Sequence, residues 1–284
     1  MGSIRVVTDS TANLPADLAA SKGIEVVPLQ VLFGSETFYD GIDLTNEQFY
    51  ERLKQARTLP TTSQPSAGQF AAVYRRLLEE GASSIVSLHI SRHLSGTYAA
   101  ALAGRDLVPG APRIAVLDTL SVTMGLGLLA VRAADAVEKG MGHDQVVDLI
   151  ESLSQRVRIF FVVDTLEYLQ RGGRIGAASA FLGSLLSLKP ILAIRQGVVQ
   201  PVERVRTKSR ALDHLTRLVT QEVPPGSQLH AAVLHGQAPE MATDLAERIH
   251  KNYRCDDLMI GDVGPVIATH TGPGVFGIAF YTDP

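Results

Sequence analysis

The chain has one cysteine in 284 residues, Cys255, which excludes an intramolecular disulfide, a CxxC redox pair and a cysteine-rich zinc site. It also lacks surplus charge. With 26 Lys and Arg against 29 Asp and Glu, the formal net charge is −3, so there is no electrostatic reason to expect nucleic acid or an anionic bilayer as a standing partner. No apolar run is long enough to span a membrane, because the longest, around 181–194, is interrupted by Ser184, Ser187, Lys189 and Pro190. The start, Met1 to Asp9, has neither the basic flank nor the apolar stretch of a signal peptide, which points to a cytoplasmic protein.

Several chemical signatures are missing as well. No P-loop and no G-x-S-x-G elbow occurs. His89 and His93 stand four apart without the acidic partner of a metalloprotease helix, so no metal is expected there. The string Gly125-Leu126-Gly127-Leu128-Leu129-Ala130 matches G-x-G-x-x-A, but that fingerprint must follow a strand directly, and the preceding strand pattern ends near Leu117. A dinucleotide site is not expected.

What is present is a globular composition, 45% hydrophobic and 19% charged, at a length that suits two compact domains. Strand patterns at Ile4–Thr8, Glu25–Leu29, Ser84–His89 and Ile114–Asp118 alternate with helical ones, the signature of βαβ units. Thr45-Asn46-Glu47-Gln48 and Ser66-Ala67-Gly68-Gln69 both fit a capping box, and Asn13-Leu14-Pro15 opens a helix that Gly23 ends. From Val157 the pattern changes. Strands at Ile191–Arg195 and Val198–Arg206 are separated by Gln196-Gly197, a hairpin signal. Further strands at His230–His235, Met259–Val263 and Gly277–Tyr281 flank helices over Lys208–Val223 and Pro239–Tyr253. The fold class expected is α/β in two domains: residues 1–156 with a Rossmann-like parallel sheet and helices on both faces, and residues 157–284 with a largely antiparallel sheet.

Three hydroxyl- and glycine-rich segments carry the chemistry: Thr62-Ser63-Gln64-Pro65-Ser66, Leu94-Ser95-Gly96-Thr97-Tyr98 and Thr269-His270-Thr271-Gly272-Pro273-Gly274. Thr62 and Ser95 each precede a helix start, where unpaired N–H groups gather, and Gly96 removes a Cβ that would keep a ligand from the backbone. Such a set holds a small anion, for instance a carboxylate. The competing reading makes Thr62 and Ser95 ordinary caps and His270 a structural histidine. Ligands of an open parallel sheet bind beyond the carboxyl ends of its strands, so the site is expected on that edge, between the domains. Asp9 is expected to anchor loops there by accepting backbone hydrogen bonds.

These segments, together with Asp9-Ser10-Thr11 and Leu169-Gln170-Arg171-Gly172-Gly173-Arg174-Ile175, resemble the DegV family of bacterial fatty-acid-binding proteins from about Ile4 to Tyr281. The resemblance implies that Thr62, Ser95 and His270 form the hydrogen-bond network around a fatty-acid carboxylate. Arg174 would stand near it, while Arg171 reads as a solvated helix-end residue. It further implies a non-catalytic carrier, with no cofactor and a bound long-chain fatty acid as ligand. The carrier would present that ligand to a dihydroxyacetone-kinase-like fatty acid kinase subunit, which makes an acyl phosphate for phospholipid synthesis.

The stretch from Ile175 to Leu188 carries no charge and reads as a helix that is buried all round or lines an apolar cavity. Ile175, Phe181, Leu182 and Leu185 are therefore the expected tunnel lining. Arg204 and Arg206, in the densest basic stretch, are the expected partner-docking residues, and transient contact with a membrane surface would serve lipid exchange. A second function remains open: an enzyme acting on a small carboxylated or phosphorylated metabolite, with Asp9 and His270 as an acid–base pair.

Overall fold

The computed structural model describes residues 3–110, 113–183, 188–224, 226–255 and 258–283. The N-terminal half contains β1 (Ser3–Asp9), α1 (Ala16–Ser21), β2 (Ile24–Val27), β3 (Gln30–Phe33), β4 (Glu36–Tyr39), α2 (Asn46–Gln55), β5 (Thr61–Ser63) and α3 (Ala67–Glu79). It continues with β6 (Ala82–His89), α4 (Thr97–Asp106), β7 (Ile114–Asp118), α5 (Met124–Glu138) and α6 (His143–Ser154). Four of these strands form a parallel sheet in the order β2-β1-β6-β7. Ser66 and Thr45 cap α3 and α2 through complete capping boxes, as the sequence predicts.

The second half contains β8 (Arg158–Val162), α7 (Glu167–Arg171), β9 (Lys189–Arg195), β10 (Val198–Val205), α8 (Lys208–Glu222), β11 (Leu229–His235), α9 (Pro239–Asn252), β12 (Met259–Asp262), α10 (Pro265–Thr271) and β13 (Phe276–Thr282). Its sheet runs β10-β9-β8-β13-β11-β12, antiparallel except for the β11–β12 pair. Gln196 and Gly197 turn the β9–β10 hairpin with φ of 49° and 77°, the double left-handed conformation of a type I′ turn. The expected α/β architecture of a parallel sheet followed by a largely antiparallel one is therefore present.

Two features depart from the expectations. The first half carries an additional three-stranded antiparallel sheet, β4-β3-β5, whose strands of three or four residues are too short to give a readable alternation. The helix expected over 175–188 does not form in its described part, 175–183. A 3₁₀ segment spans Gly176–Phe181, flanked by left-handed backbone at Gly176, with φ of 52°, and at Gly183, with φ of 90°. A right-handed helix cannot continue through either position. Gly176 has no alternative, because a Cβ there would sit 2.5 Å from the Val199 carbonyl of β10.

Alternation along β8 and β13 separates two cores. Phe160, Val162, Phe276, Ile278 and Phe280 face one cluster with α8 and α9, while Ile159, Val163, Val275, Ala279 and Tyr281 face a larger cluster that includes α5 and α6 of the first half. The inner face of the second sheet thus looks toward the first half of the chain, and the candidate site forms between them.

Candidate functional site

A cavity lies on that inner face. Ile159, Phe161, Ile194, Val199, Leu234 and Gly277 contribute from the second sheet, and Val266, Ile267, His270 and Thr271 from α10. Leu29, Ile90 and Val122 close it from the first half. Gly277 stands between Phe161 and Leu234 in the β8–β13–β11 register, and a side chain there would strike Phe161 and the Phe160 carbonyl of β8.

Thr62, Ser95, Arg174 and His270 all line this cavity and are its concentrated polar end. Thr62 lies on β5 and pairs with Val31, so its hydroxyl caps no helix. Its Oγ1 is 2.9 Å from His270 Nε2. Ser95 Oγ is 2.9 Å from Thr97 Oγ1 and accepts the Thr97 N–H at 3.3 Å, which makes it a turn residue at the mouth of α4 as well as a cavity wall. Arg174 donates from Nε to the Leu94 carbonyl at 3.0 Å and from Nη1 to the Gly172 carbonyl at 2.7 Å. With two nitrogens held on backbone carbonyls, its guanidinium brings a fixed positive charge to the cavity.

Burial pushes the His270 pKa down to about 4, and the Arg174 charge adds to the effect. The ring is therefore neutral at pH 7. Its Nδ1 has no partner among the described residues and lies against Gly172, where even a Cβ would strike it. A buried N–H without an acceptor is costlier than a lone pair without a donor, so the proton sits on Nε2. Nε2–H then donates to Thr62 Oγ1, and the Thr62 proton remains to donate into the cavity. Hydroxyl donors beside a guanidinium suit a ligand group that only accepts, such as a carboxylate.

The other expected residues lie elsewhere. Gly96 caps α4 without lining the cavity; the position of its missing Cβ is 2.8 Å from Gln64 Nε2, so the Gln64 amide occupies the space reserved in the expectation for a ligand. Ile175 and Phe181 pack at the edge of the larger core, and Leu182 is 38% exposed; none lines the cavity. Leu185 is outside the described residues. The apolar lining comes instead from strands and α10, whose residues alternate or repeat as any core element does, so nothing in the sequence separated them from ordinary core. Arg204 stacks over the Phe181 ring at 4.9 Å, and Arg206 is exposed at the end of β10. Arg171 pairs with Glu167 at the surface.

Asp9 anchors loops, as expected. One carboxylate oxygen accepts from Thr11, and the other accepts from the Ile90 N–H at 3.1 Å and from His89 Nδ1 at 3.0 Å. His89 Nε2 continues to Ser87 Oγ at 2.7 Å, which meets Tyr74 Oη at 2.9 Å. The order Ser–His–Asp is that of a hydrolase triad, but Ser87, His89 and Asp9 are fully buried and none of the three lines the cavity. Asp9 and His270 are not assembled as an acid–base pair. Among the described residues no group of three or more His, Cys, Asp or Glu is arranged to hold a metal, and no helix is long and apolar enough to cross a membrane.

The profile of the DegV family, described as an uncharacterised protein family, matches residues 3–283. A DegV domain-containing protein of Streptomyces coelicolor is 41% identical over 97% of both chains. Among solved structures, a DegV family protein from Thermus thermophilus, described for its fatty acid binding, superposes with a TM-score of 0.95 at 36% identity over the whole of both chains. DegV of Bacillus subtilis, described as a fatty acid binding protein, gives 0.91 at 34% identity, also over both whole chains.

Proposed function

This chain belongs to the DegV family, and on that premise we propose that it binds one long-chain fatty acid, with the carboxylate at Thr62, Ser95, Arg174 and His270 and the acyl chain in the apolar cavity between the two sheets. The observation that carries the reading is the juxtaposition of one polar end, built from four residues on separate segments, with a cavity otherwise lined mainly by aliphatic and aromatic side chains. Burying a C16 chain at roughly 0.8 kcal/mol per methylene gives a gross gain on the order of 10 kcal/mol, part of which is offset by lost ligand freedom. The tail supplies affinity and the polar end supplies orientation. Fatty acid binding described for the Thermus and Bacillus proteins supports the same reading.

Once bound, the fatty acid is handed on. The protein is a cytoplasmic, non-catalytic carrier that presents the carboxylate to a separate dihydroxyacetone-kinase-like kinase subunit for acyl-phosphate formation, with Arg174 near the transferred phosphoryl group. Arg204 and Arg206 contribute to docking, and the carrier touches a membrane surface transiently to exchange lipid. The family resemblance and the exposed position of Arg206 support this handover.

Native mass spectrometry of the purified protein, followed by lipid extraction, tests the binding step. One fatty acid per chain, lost in the Thr62→Ala/Ser95→Ala double variant, is the expected result. A protein that is empty and takes up no added fatty acid would overturn the proposal. For the kinase step, Arg206→Ala should slow acyl-phosphate formation at unchanged lipid affinity, and an equal loss of lipid binding would contradict a docking role.

A further inference from the structure

Ser91 is fully buried, and its three polar atoms are all engaged, on three different segments. Its N–H donates to the Ser121 carbonyl at 2.9 Å. Its carbonyl accepts the N–H groups of Leu94 at 2.9 Å and Ser95 at 3.1 Å. Its hydroxyl donates to the Gly197 carbonyl at 2.8 Å and accepts from the His93 N–H at 3.2 Å.

Each of these segments reaches the cavity. Ser95 lines it directly, and the Leu94 carbonyl holds Arg174 Nε. Ser121 leads into Val122 and Thr123, both lining residues. Gly197 turns the hairpin whose strands supply Ile194 and Val199. The hairpin can approach this closely only because residue 197 is glycine: its φ of 77° is left-handed, and a Cβ would fall on the Ser91 hydroxyl.

We infer that Ser91 is the positioning residue of the carboxylate end. Its hydroxyl joins the loop carrying Ser95, and the backbone acceptor of Arg174, to the β9–β10 hairpin of the other sheet. It thereby fixes the spacing between the carboxylate donors and the entrance of the acyl cavity. The inference rests on the fatty-acid reading above and extends it to a residue that does not itself touch the ligand. Removing the hydroxyl leaves the Gly197 carbonyl and the His93 N–H without their partner, and the two halves of the site lose the bond that sets their distance.

The test uses the full chain loaded with palmitate labelled with ¹³C at the carboxyl carbon. Its readouts are the carboxyl resonance of the bound ligand and the dissociation constant from displacement of a fluorescent fatty acid. In Ser91→Ala the constant should rise about tenfold and the resonance should move toward that of free palmitate. Gly197→Ala perturbs the same contact from the hairpin side and should move the resonance in the same direction. It carries the test with Ser91 intact should Ser91→Ala fail to fold. Ser87→Ala, in the sealed Tyr74–Ser87–His89 network, is the control: it should lower the melting temperature and leave the resonance in place. A bound resonance at the wild-type position in both Ser91→Ala and Gly197→Ala overturns the inference, because a purely structural Ser91 predicts that result. Failure of the wild-type protein to take up palmitate would instead count against the fatty-acid reading itself.

Discussion

Thr62 Oγ1 and His270 Nε2 meet at 2.9 Å across 208 residues of chain, with the imidazole neutral and its proton directed at the hydroxyl. The histidine thus orients the threonine hydroxyl toward the cavity, through which it would act on a ligand. This arrangement separates the roles of the two side chains and can be tested one group at a time.

Thr62→Ala removes the donor and should weaken fatty acid binding about 5–30-fold, the worth of one or two kcal/mol for a hydrogen bond to a charged group. Thr62→Ser keeps the hydroxyl and should stay within about threefold of wild type. Calorimetric titration with palmitate checks both. Equal losses in the two variants would assign the effect to the threonine methyl and its packing.

Gly172→Ala should displace the His270 ring at an ordinary backbone φ of −74°, because a Cβ there would collide with Nδ1 and press on the Tyr168 carbonyl only at 3.0 Å. The expected outcome is a folded protein, by circular dichroism, whose fatty acid affinity falls at least as far as in Thr62→Ala. Retained affinity would show that the imidazole position is unimportant.

His270 makes the fold acid-sensitive. Its pKa falls from 6.5 to about 4 on folding, so between those values the unfolded chain binds a proton that the folded chain does not. Its contribution is complete above pH 6.5 and declines as the pH falls toward 4, by on the order of 3 kcal/mol. His270→Gln should flatten the denaturation profile in this window, and an unchanged slope would contradict the neutral buried ring. Proton NMR titration of the ring carbons gives a direct check.

Asp40 works in the opposite direction. Burial raises its pKa to about 6 and the Asp9 charge adds to this, while hydrogen bonds from Ser10 and the Val266 N–H pull it partly back. One of its oxygens has no partner among the described residues. The folded chain therefore takes up this proton more readily than the unfolded chain, and stability from this group rises as the pH falls from above 6 toward 3.8. Asp40→Asn should raise the melting temperature at pH 8, where the buried carboxylate costs on the order of 3 kcal/mol, and the gain should shrink by pH 5. A lower melting temperature at pH 8 would mean that the charge at the start of α10 stabilises more than its burial costs.

Much of the fold was legible because local signals and tertiary structure agree. The capping boxes at Thr45 and Ser66 and the Gln196-Gly197 turn are each fixed by a few neighbouring residues, and packing had only to accept them. That four polar residues belong together was legible for another reason. Thr62, Ser95, Arg174 and His270 stand in short motifs whose resemblance to a family points to them together, although nothing local reveals that they meet.

The apolar cavity was not legible in the same way. The charge-free run from Ile175 was expected to be helical and to line it, yet Gly176 packs against the Val199 carbonyl in a left-handed conformation and the run becomes a 3₁₀ turn. Gly96 was expected to admit a ligand and instead admits the Gln64 side chain. A cavity is the space that packing leaves unfilled, and its position depends on how the inner face of the second sheet, α10 and the loops of the first half meet. The sequence by itself therefore determined the elements, their caps and turns, and the chemical character of the polar end, since these depend on near neighbours. Only the tertiary structure decided which apolar residues surround the cavity and that Ser91 joins its two halves, since those relations exist only between segments far apart in the chain.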